Sequence, residues 1–327
     1  MKKSQIILGG TMIFIALLAV CSCTGKQKAK LSQPVLPTGQ AKLSVPGGNI
    51  WYRVSGVSKG VPVVLIHGGP GMSSFYIKPL EALGTDRQVI RYDQLGAGKS
   101  DRITDTAMFK VDHFVNELEL LRAHLGIDKW HIIGHSWGSI LATEYYRKYP
   151  EHVASMSLAG AALSLPQWTS NVRFLLTTLP QPMQEAIKKT EETGNYNDSL
   201  YQQAMGQFYG TYVFRTPVMA DFDSMVATQN TDIYMYMQGP SEFTITGTLK
   251  NYDITPFLPE IKVPTLFTVG EFDEAGPEVV KGYAEKVPGA EYVVLKGAAH
   301  MSMWDAPEEN VRVEREFLNR VDSLAKK

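Results

Sequence analysis

The sequence is nearly free of cysteine, and this scarcity limits how the protein can be stabilised. Its 327 residues contain two cysteines, Cys21 and Cys23, and both lie in the N-terminal segment. The rest of the chain therefore has no thiol and cannot form a disulfide. We expect its stability to come from a hydrophobic core, for which an apolar fraction of 44% is ordinary.

An excess of either charge is also lacking. The chain has 32 basic and 33 acidic residues, a net charge of −1 and no charge run longer than a few residues. This balance gives no electrostatic case for binding nucleic acid or an acidic membrane surface. We find no internal repeat and no spacing of His, Cys, Asp and Glu typical of metal ligands, so we expect neither metal nor cofactor.

The N-terminus carries the pattern of an export signal. Two lysines precede an apolar run over residues 6–20, which is short for a membrane span. The following "CSCTGK" resembles a lipoprotein signal, in which a cysteine becomes the lipidated first residue. Ser22 is the small residue usual before the cut, so we predict lipidation of Cys23, with Cys21 as the alternative. An uncleaved anchor helix is the other interpretation.

This pattern sets the expected location of the protein. We predict a signal peptide over residues 1–23, followed by a polar, proline-containing tether over residues 24–40. The protein would be exported to the cell envelope and face the periplasm. Its lipid anchor would be its only contact with the membrane.

The remaining sequence alternates between strand and helix patterns. Apolar runs such as "VPVVLIHGG" and "WHIIGHS" end at glycine or serine, as expected for strands buried on both faces of a parallel sheet. "FVNELELLRAHLG" has the pattern of an amphipathic helix closed by Gly126. Alternating runs around Gly47 predict a β-hairpin. We therefore predict an α/β fold, a mainly parallel sheet with helices on both faces.

The alternation stops over residues 164–250, which are rich in Met, Gln, Tyr and Phe and lack buried-strand patterns. We predict a helical cap there, inserted into a core formed by residues 41–163 and 251–327. A cap inserted into a doubly wound sheet encloses a site for a small molecule.

A serine nucleophile is the strongest chemical signal. "GHSWG" fits the pattern G-x-S-x-G between a strand and a helix, which would hold the Ser136 hydroxyl above the sheet at a helix N-terminus. His300 follows a strand in a loop before the last helix and is the best candidate base, with His67 second. A base needs an orienting acid, and the preceding strand leads into "GEFDEAG".

Two backbone amides are candidates for an oxyanion hole. One belongs to Trp137, directly after the nucleophile, and the other to Gly69 in "HGGPG", where no side chain blocks close approach. A phosphate-binding loop is the alternative for this glycine cluster. No Walker-type lysine supports it.

At this point the motifs resemble a known family. "LIHGGPG", "YDQLGAGKSD", "GHSWGSILA", "MQGPSEFTITG", "VGEFDEAGP" and "GAAHM" are similar, in order, to those of the α/β-hydrolase serine aminopeptidases, namely the proline iminopeptidases and the tricorn-interacting aminopeptidases. The resemblance implies release of one N-terminal residue from short peptides that have a free N-terminus. It also implies that Ser136 is the nucleophile, Asp273 the acid and His300 the base.

The same resemblance implies a site for the substrate's free amine. It assigns this role to Glu242 and Glu274, with a hydroxyl from Tyr234, and leaves Glu271 as a solvated turn residue. Strict proline iminopeptidases usually have arginine where this chain has Leu95, so we expect cleavage after proline and other, mainly apolar, residues. The rival interpretations are an esterase or amidase of the same fold and a non-catalytic binding protein.

Overall fold

The computed structural model describes residues 34–216 and 222–325. The predicted signal peptide, with Cys21 and Cys23, lies outside these residues, and so does most of the tether. None of the helices in the described ranges is both long enough and apolar enough to span a bilayer.

The described chain forms one mixed sheet of eight strands. Their order across the sheet is β1-β2-β4-β3-β5-β6-β7-β8. Strand β2 runs antiparallel to β1 and β4, and every other neighbouring pair is parallel. The strands are β1 (Gly39–Val45), β2 (Gly48–Gly56), β3 (Val63–Ile66), β4 (Gln88–Asp93), β5 (Trp130–His135), β6 (Val153–Ala159), β7 (Thr265–Gly270) and β8 (Glu291–Leu295).

The central strands are covered on both faces, as the apolar runs predict. Every residue of β3, β4, β5 and β7 is buried. The α-helices are α1 (Val111–His124), α2 (Trp137–Lys148), α3 (Leu165–Leu176), α4 (Gln181–Thr193), α5 (Ser199–Tyr212), α6 (Phe222–Thr228), α7 (Thr231–Met237), α8 (Pro277–Ala284), α9 (Ser302–Asp305) and α10 (Pro307–Leu324). Short 3₁₀ segments cover Ser74–Thr85, Thr106–Met108, Pro150–His152 and Thr255–Glu260.

The predicted hairpin is confirmed, but the fold begins earlier than residue 41. Strands β1 and β2 meet at a tight turn in which Val45 pairs with Gly48. Gly39 pairs with Val54, so residues 39 and 40 belong to the sheet rather than to the predicted tether. Leu36 is also buried, and its backbone N–H and C=O both bond the side chain of Gln88 at 2.9 and 2.8 Å. The polar composition of residues 24–40 predicts a tether and gives no indication of these contacts with β4.

The segment between β6 and β7 contains helices α3 to α7. Its two ends meet at an isolated bridge between Ser164 and Asp253. Side chains from α5, α6 and α7 share one cavity with Ser136 and His300. The insertion therefore lies over the carboxyl end of the parallel sheet, where loops from several strands converge.

Candidate active site

Ser136 occupies a strained turn between β5 and α2. Its φ of 55° and ψ of −123° are unusual for a residue with a side chain, and no other non-glycine residue in the described ranges has a positive φ. Two glycines allow this turn: a Cβ on Gly134 would lie 2.3 Å from the Gly138 carbonyl, and one on Gly138 would lie 2.3 Å from the Ile66 carbonyl. Ser136 therefore sits at the N-terminus of α2, as the motif predicts.

The structure brings Asp273 and His300 together near this serine. Asp273 follows β7, and its Oδ1 lies 2.7 Å from Nδ1 of His300, which follows β8. The Ala275 amide donates to the same Oδ1 at 2.8 Å and fixes the carboxylate. Since Asp273 holds Nδ1, the Nε2 atom of His300 is left for proton transfer, and His300 shares a cavity with Ser136.

Gln94 joins the two segments that carry the predicted oxyanion donors. Its Oε1 accepts from the Trp137 indole at 2.9 Å, and its Nε2 donates to the His67 carbonyl at 2.9 Å. The ring of His67 is fully buried and accepts from the Gln94 backbone N–H, so it cannot serve as the base. Gly69 lines both cavities beside Ser136, and Trp137, as the first residue of α2, has an amide without an intrahelical acceptor.

A second chain of hydrogen bonds runs behind the nucleophile. The Gly68 amide donates to the Tyr76 hydroxyl, which in turn donates to Nδ1 of His135 at 2.8 Å. The Nε2–H of His135 donates to the backbone carbonyl of His300 at 2.9 Å. This order of donors assigns the proton of His135 to Nε2. The chain connects the glycine loop to the backbone of the base.

His135 is neutral in this arrangement. Burial first, then the charge of His300, lowers the pKa of His135 to about 3. Its ring lies 4.5 Å from the ring of His300. The motif "GHSWG" assigns no role to His135, whereas the structure gives its ring two hydrogen bonds.

Glu242 lies beside the nucleophile and lines both cavities. Its carboxylate accepts from the Tyr234 hydroxyl at 2.7 Å and is 3.5 Å from Nε2 of Gln238. The Glu242 amide donates to the Tyr209 hydroxyl at 3.3 Å. The predicted pair of Glu242 and Tyr234 is thus in contact, and Gln238 and Tyr209 complete its surroundings.

Glu274 is buried without the hydrogen-bond partners that Glu242 has. Its side chain is completely buried, and neither carboxyl oxygen has a hydrogen-bond partner among the described residues. Burial, followed by the charges of Glu242 and Asp273, raises the pKa of Glu274 well above its usual range. Glu274 lines neither cavity, so the structure does not place it at the cavity surface as the predicted amine-binding role requires, and its link to Glu242 is electrostatic.

Neighbouring charges also change the pKa of His300. Burial acts to lower the pKa of His300, but the charge and hydrogen bond of Asp273 and the charge of Glu242 outweigh it, so the pKa is raised. Burial raises the pKa of Glu242, and the charge of His300 offsets part of this effect. Glu242 and His300 are therefore linked electrostatically. Glu271, by contrast, is exposed and accepts from the Gly297 amide at 2.9 Å.

Two cavities meet at Ser136. The larger has a volume of about 520 Å³, within the range of small-molecule sites. The smaller, about 10 Å³, lies among Trp137, Trp168 and Leu249 and has room for about one water. Gly69, Ser136 and Glu242 line both. No group of three or more His, Cys, Asp or Glu in the described ranges is arranged to hold a metal ion.

Comparison with known proteins identifies the family. The α/β hydrolase fold family matches residues 61–307. The proline iminopeptidase of Heyndrickxia coagulans is 40% identical over 282 residues, covering 85% of this chain and 98% of that protein. The chain belongs to the proline iminopeptidase family of α/β hydrolases.

Two solved structures are consistent with the assignment of this chain to the proline iminopeptidase family. The crystal structure of VinJ has a TM-score of 0.83 and 32% identity, covering 87% of this chain and 100% of VinJ. The proline iminopeptidase of Mycobacterium smegmatis has a TM-score of 0.82 and 30% identity, covering 88% of this chain and 100% of that one. The family resemblance and the predicted fold class are confirmed.

The sequence did not reveal every side chain at this iminopeptidase site. Tyr76, His135 and Gln94 are buried polar residues whose contacts connect separate loops. Gln94 is part of the motif "DQ", and Tyr76 follows the motif "HGGPG" by five residues, but neither motif indicates their contacts. Tyr209 comes from α5, where no motif marks it, and Gln238 directly follows α7, inside the motif "MQGPSEFTITG" from which only Glu242 was assigned a role.

Proposed function

We propose that this protein is a serine aminopeptidase that releases the N-terminal residue of short peptides, proline and other, mainly apolar, residues. The observation that carries the proposal is the buried carboxylate of Glu242 beside the nucleophile, with Glu274 close enough to influence it electrostatically. No lysine or arginine in the described ranges forms an ion pair or hydrogen bond with either carboxylate. A substrate ammonium would supply the missing positive charge.

The chemistry follows from the positions of the side chains. Ser136 attacks the first peptide carbonyl while His300, oriented by Asp273, removes its proton. The Gly69 and Trp137 amides stabilise the developing oxyanion. His300 then gives the proton to the leaving amine, and the acyl-enzyme on Ser136 is hydrolysed by water that His300 activates.

The carboxylates explain why one residue is released. A free amine is the chemical mark of the chain end, and Glu242 contacts it because Glu242 lines both cavities. Glu274, buried within electrostatic reach of Glu242, adds a second negative charge only when the bound ammonium offsets the burial that raises its pKa. An interior peptide segment brings no ammonium and leaves these groups unpaired, which disfavours its binding.

Matched substrates test the proposal. Amides and short peptides with proline, alanine or leucine first are compared with their N-acetylated forms. We expect acetylation to lower kcat/KM by about a hundredfold or more, the effect of removing one partner of a desolvated charge pair. Equal rates would instead indicate an esterase or amidase of this fold. Absence of turnover and of Ser136 labelling by a phosphonate reagent would indicate a binding protein.

We further propose that the protein is exported and held at the cell envelope, facing the periplasm, by a lipid on Cys23. The signal pattern of residues 1–23 and the small Ser22 before Cys23 support this location. In the same proposal, residues 164–250 act as the cap over the site.

A further inference from the structure

The larger cavity is apolar and carries charge of one sign at its inner end. Its walls are formed mainly by Met72, Met205, Phe214, Phe222, Met225 and Met235. Within the described ranges, Glu242 is the only acidic residue in its lining, and His300 is the base. No lysine or arginine belongs to the lining within the described ranges. Among the described residues, the lining therefore offers a carboxylate no lysine or arginine as a partner, although Gln202, Gln229 and Thr231 bring neutral donors.

The leaving part of the substrate must lie in this cavity. His300 donates the proton to the leaving amine, and His300 lines the larger cavity but not the smaller one. The smaller cavity, at about 10 Å³, is too small for either amino acid, so the larger cavity must hold the leaving part together with the first residue. The larger cavity reaches solvent past Val226 and Met235, which are 51% and 50% exposed.

From this placement we propose that the enzyme selects a neutral, apolar second residue and rejects a negative charge next to the scissile bond. Peptides with an acidic second residue would be poor substrates. Dipeptides with a free C-terminal carboxylate would be poor substrates in comparison with their amides. The inference rests on the proposed aminopeptidase function and adds the chemical class of the leaving group.

The physical reason is that a carboxylate entering this cavity loses water and gains no lysine or arginine partner from the described lining, only neutral donors such as Gln202 and Gln229. It also approaches the carboxylate of Glu242, which lines the cavity, and that of Asp273, which is hydrogen-bonded to His300. Two arginines lie next to lining residues but interact with other groups: Arg215 follows Phe214 in the chain, and Arg102 bonds the residue before Gln229. Arg215 stacks over Phe272 at 3.8 Å, and Arg102 donates to the carbonyls of Gly96 and Thr228. Neither arginine lines the cavity.

Wild-type enzyme and isosteric peptides provide the first test. The substrates begin with proline, continue with glutamine, glutamate or leucine, and end as amides; proline-leucine with a free carboxylate completes the set. We expect kcat/KM for the glutamate peptide to be about tenfold or more below that of the glutamine peptide. The free dipeptide should fall below its amide by a similar factor. Equal values within both pairs would overturn the inference.

A cation at the mouth provides the second test. Met235→Lys places a positive charge in the half-exposed part of the lining, and Met235→Gln is its neutral control. The readout is the ratio of kcat/KM for the glutamine and glutamate peptides within each variant. We expect the ratio to approach one in the lysine variant and to stay high in the glutamine variant. Equal ratios in the two variants would show that charge does not set the preference.

The N-acetylated glutamine peptide separates the two ways of failing. Hydrolysis of this peptide at the rate of its free-amine form would refute the aminopeptidase function itself, and the inference with it. If only the free-amine form is cleaved while the glutamine and glutamate peptides react equally, the function stands and the leaving-group inference is wrong.

Discussion

Glu242 influences both substrate binding and the base, so its replacement should have two separable effects. Glu242→Gln keeps the size of the side chain and removes its charge. We expect KM for free-amine substrates to rise, by at most about 2–5 kcal/mol of binding free energy, with a smaller change in kcat. Steady-state kinetics with proline amides measure both. An unchanged KM would show that Glu242 is not the amine anchor.

The pH profile of the same variant reports the second effect. His300 acts as a base only when neutral, so kcat/KM falls as the pH drops below the pKa of His300. The charge of Glu242 helps to raise that pKa. The acidic limb of kcat/KM should therefore move to lower pH in Glu242→Gln. Glu185→Gln, an exposed carboxylate on α4, is the control and should change neither KM nor the limb.

At the scale of elements, the chain from Gly68 through Tyr76 and His135 fixes the loop after β3 relative to the loop that carries His300. Tyr76→Phe and His135→Phe each remove buried hydrogen bonds, and we expect kcat to fall about tenfold in each with less change in KM. Because both act through one chain, the double variant should lose little more than the worse single variant.

A double-mutant cycle on kcat measures this coupling. Tyr145→Phe is a suitable control, since it removes a buried tyrosine hydroxyl that bonds Glu119 between α1 and α2, away from the cavity lining. Additive losses for Tyr76 and His135 would show that the two residues act independently of each other.

Helix α10 contains a buried carboxyl that makes stability depend on pH. Glu314 accepts from the Ser157 hydroxyl of β6 at 2.7 Å, and burial raises its pKa from 4.5 to about 7. A pKa raised in the folded state gives stability that is present below the unfolded pKa and lost as the pH rises through the folded value. The native protein should therefore lose up to about 3 kcal/mol from Glu314 between pH 5 and pH 9.

Glu314→Gln removes this titration. Urea unfolding at pH 5, 7 and 9 measures the free energy of unfolding of both proteins. As the pH rises, the free energy of unfolding of the variant should increase relative to that of the native protein. The buried amide adds only an offset that does not change with pH. Glu308→Gln, at an exposed position of the same helix, should differ from the native protein by the same amount at every pH. A Glu314→Gln difference that is constant with pH would contradict the assignment.

The elements that the sequence predicted best are those whose signal is local. The apolar runs of β3, β5 and β7 are buried on both faces, so their pattern does not depend on what packs against them. The serine turn was predictable because only small residues fit at Gly134 and Gly138. The contact between Tyr76 and His135 joins residues 59 positions apart, and no local pattern encodes such a pair.

At the scale of the whole molecule, the scarcity of cysteine makes the proposed lipid anchor testable with two substitutions. Cys23→Ala should abolish incorporation of labelled fatty acid and release the protein from the detergent-soluble membrane fraction, because acyl chains supply about 0.8 kcal/mol per buried CH₂. Cys21→Ala is the matched control and should keep both the label and the membrane fraction. Loss of label only in Cys21→Ala would move the lipid to Cys21. A membrane-bound protein without label in its native form would instead indicate an uncleaved anchor helix.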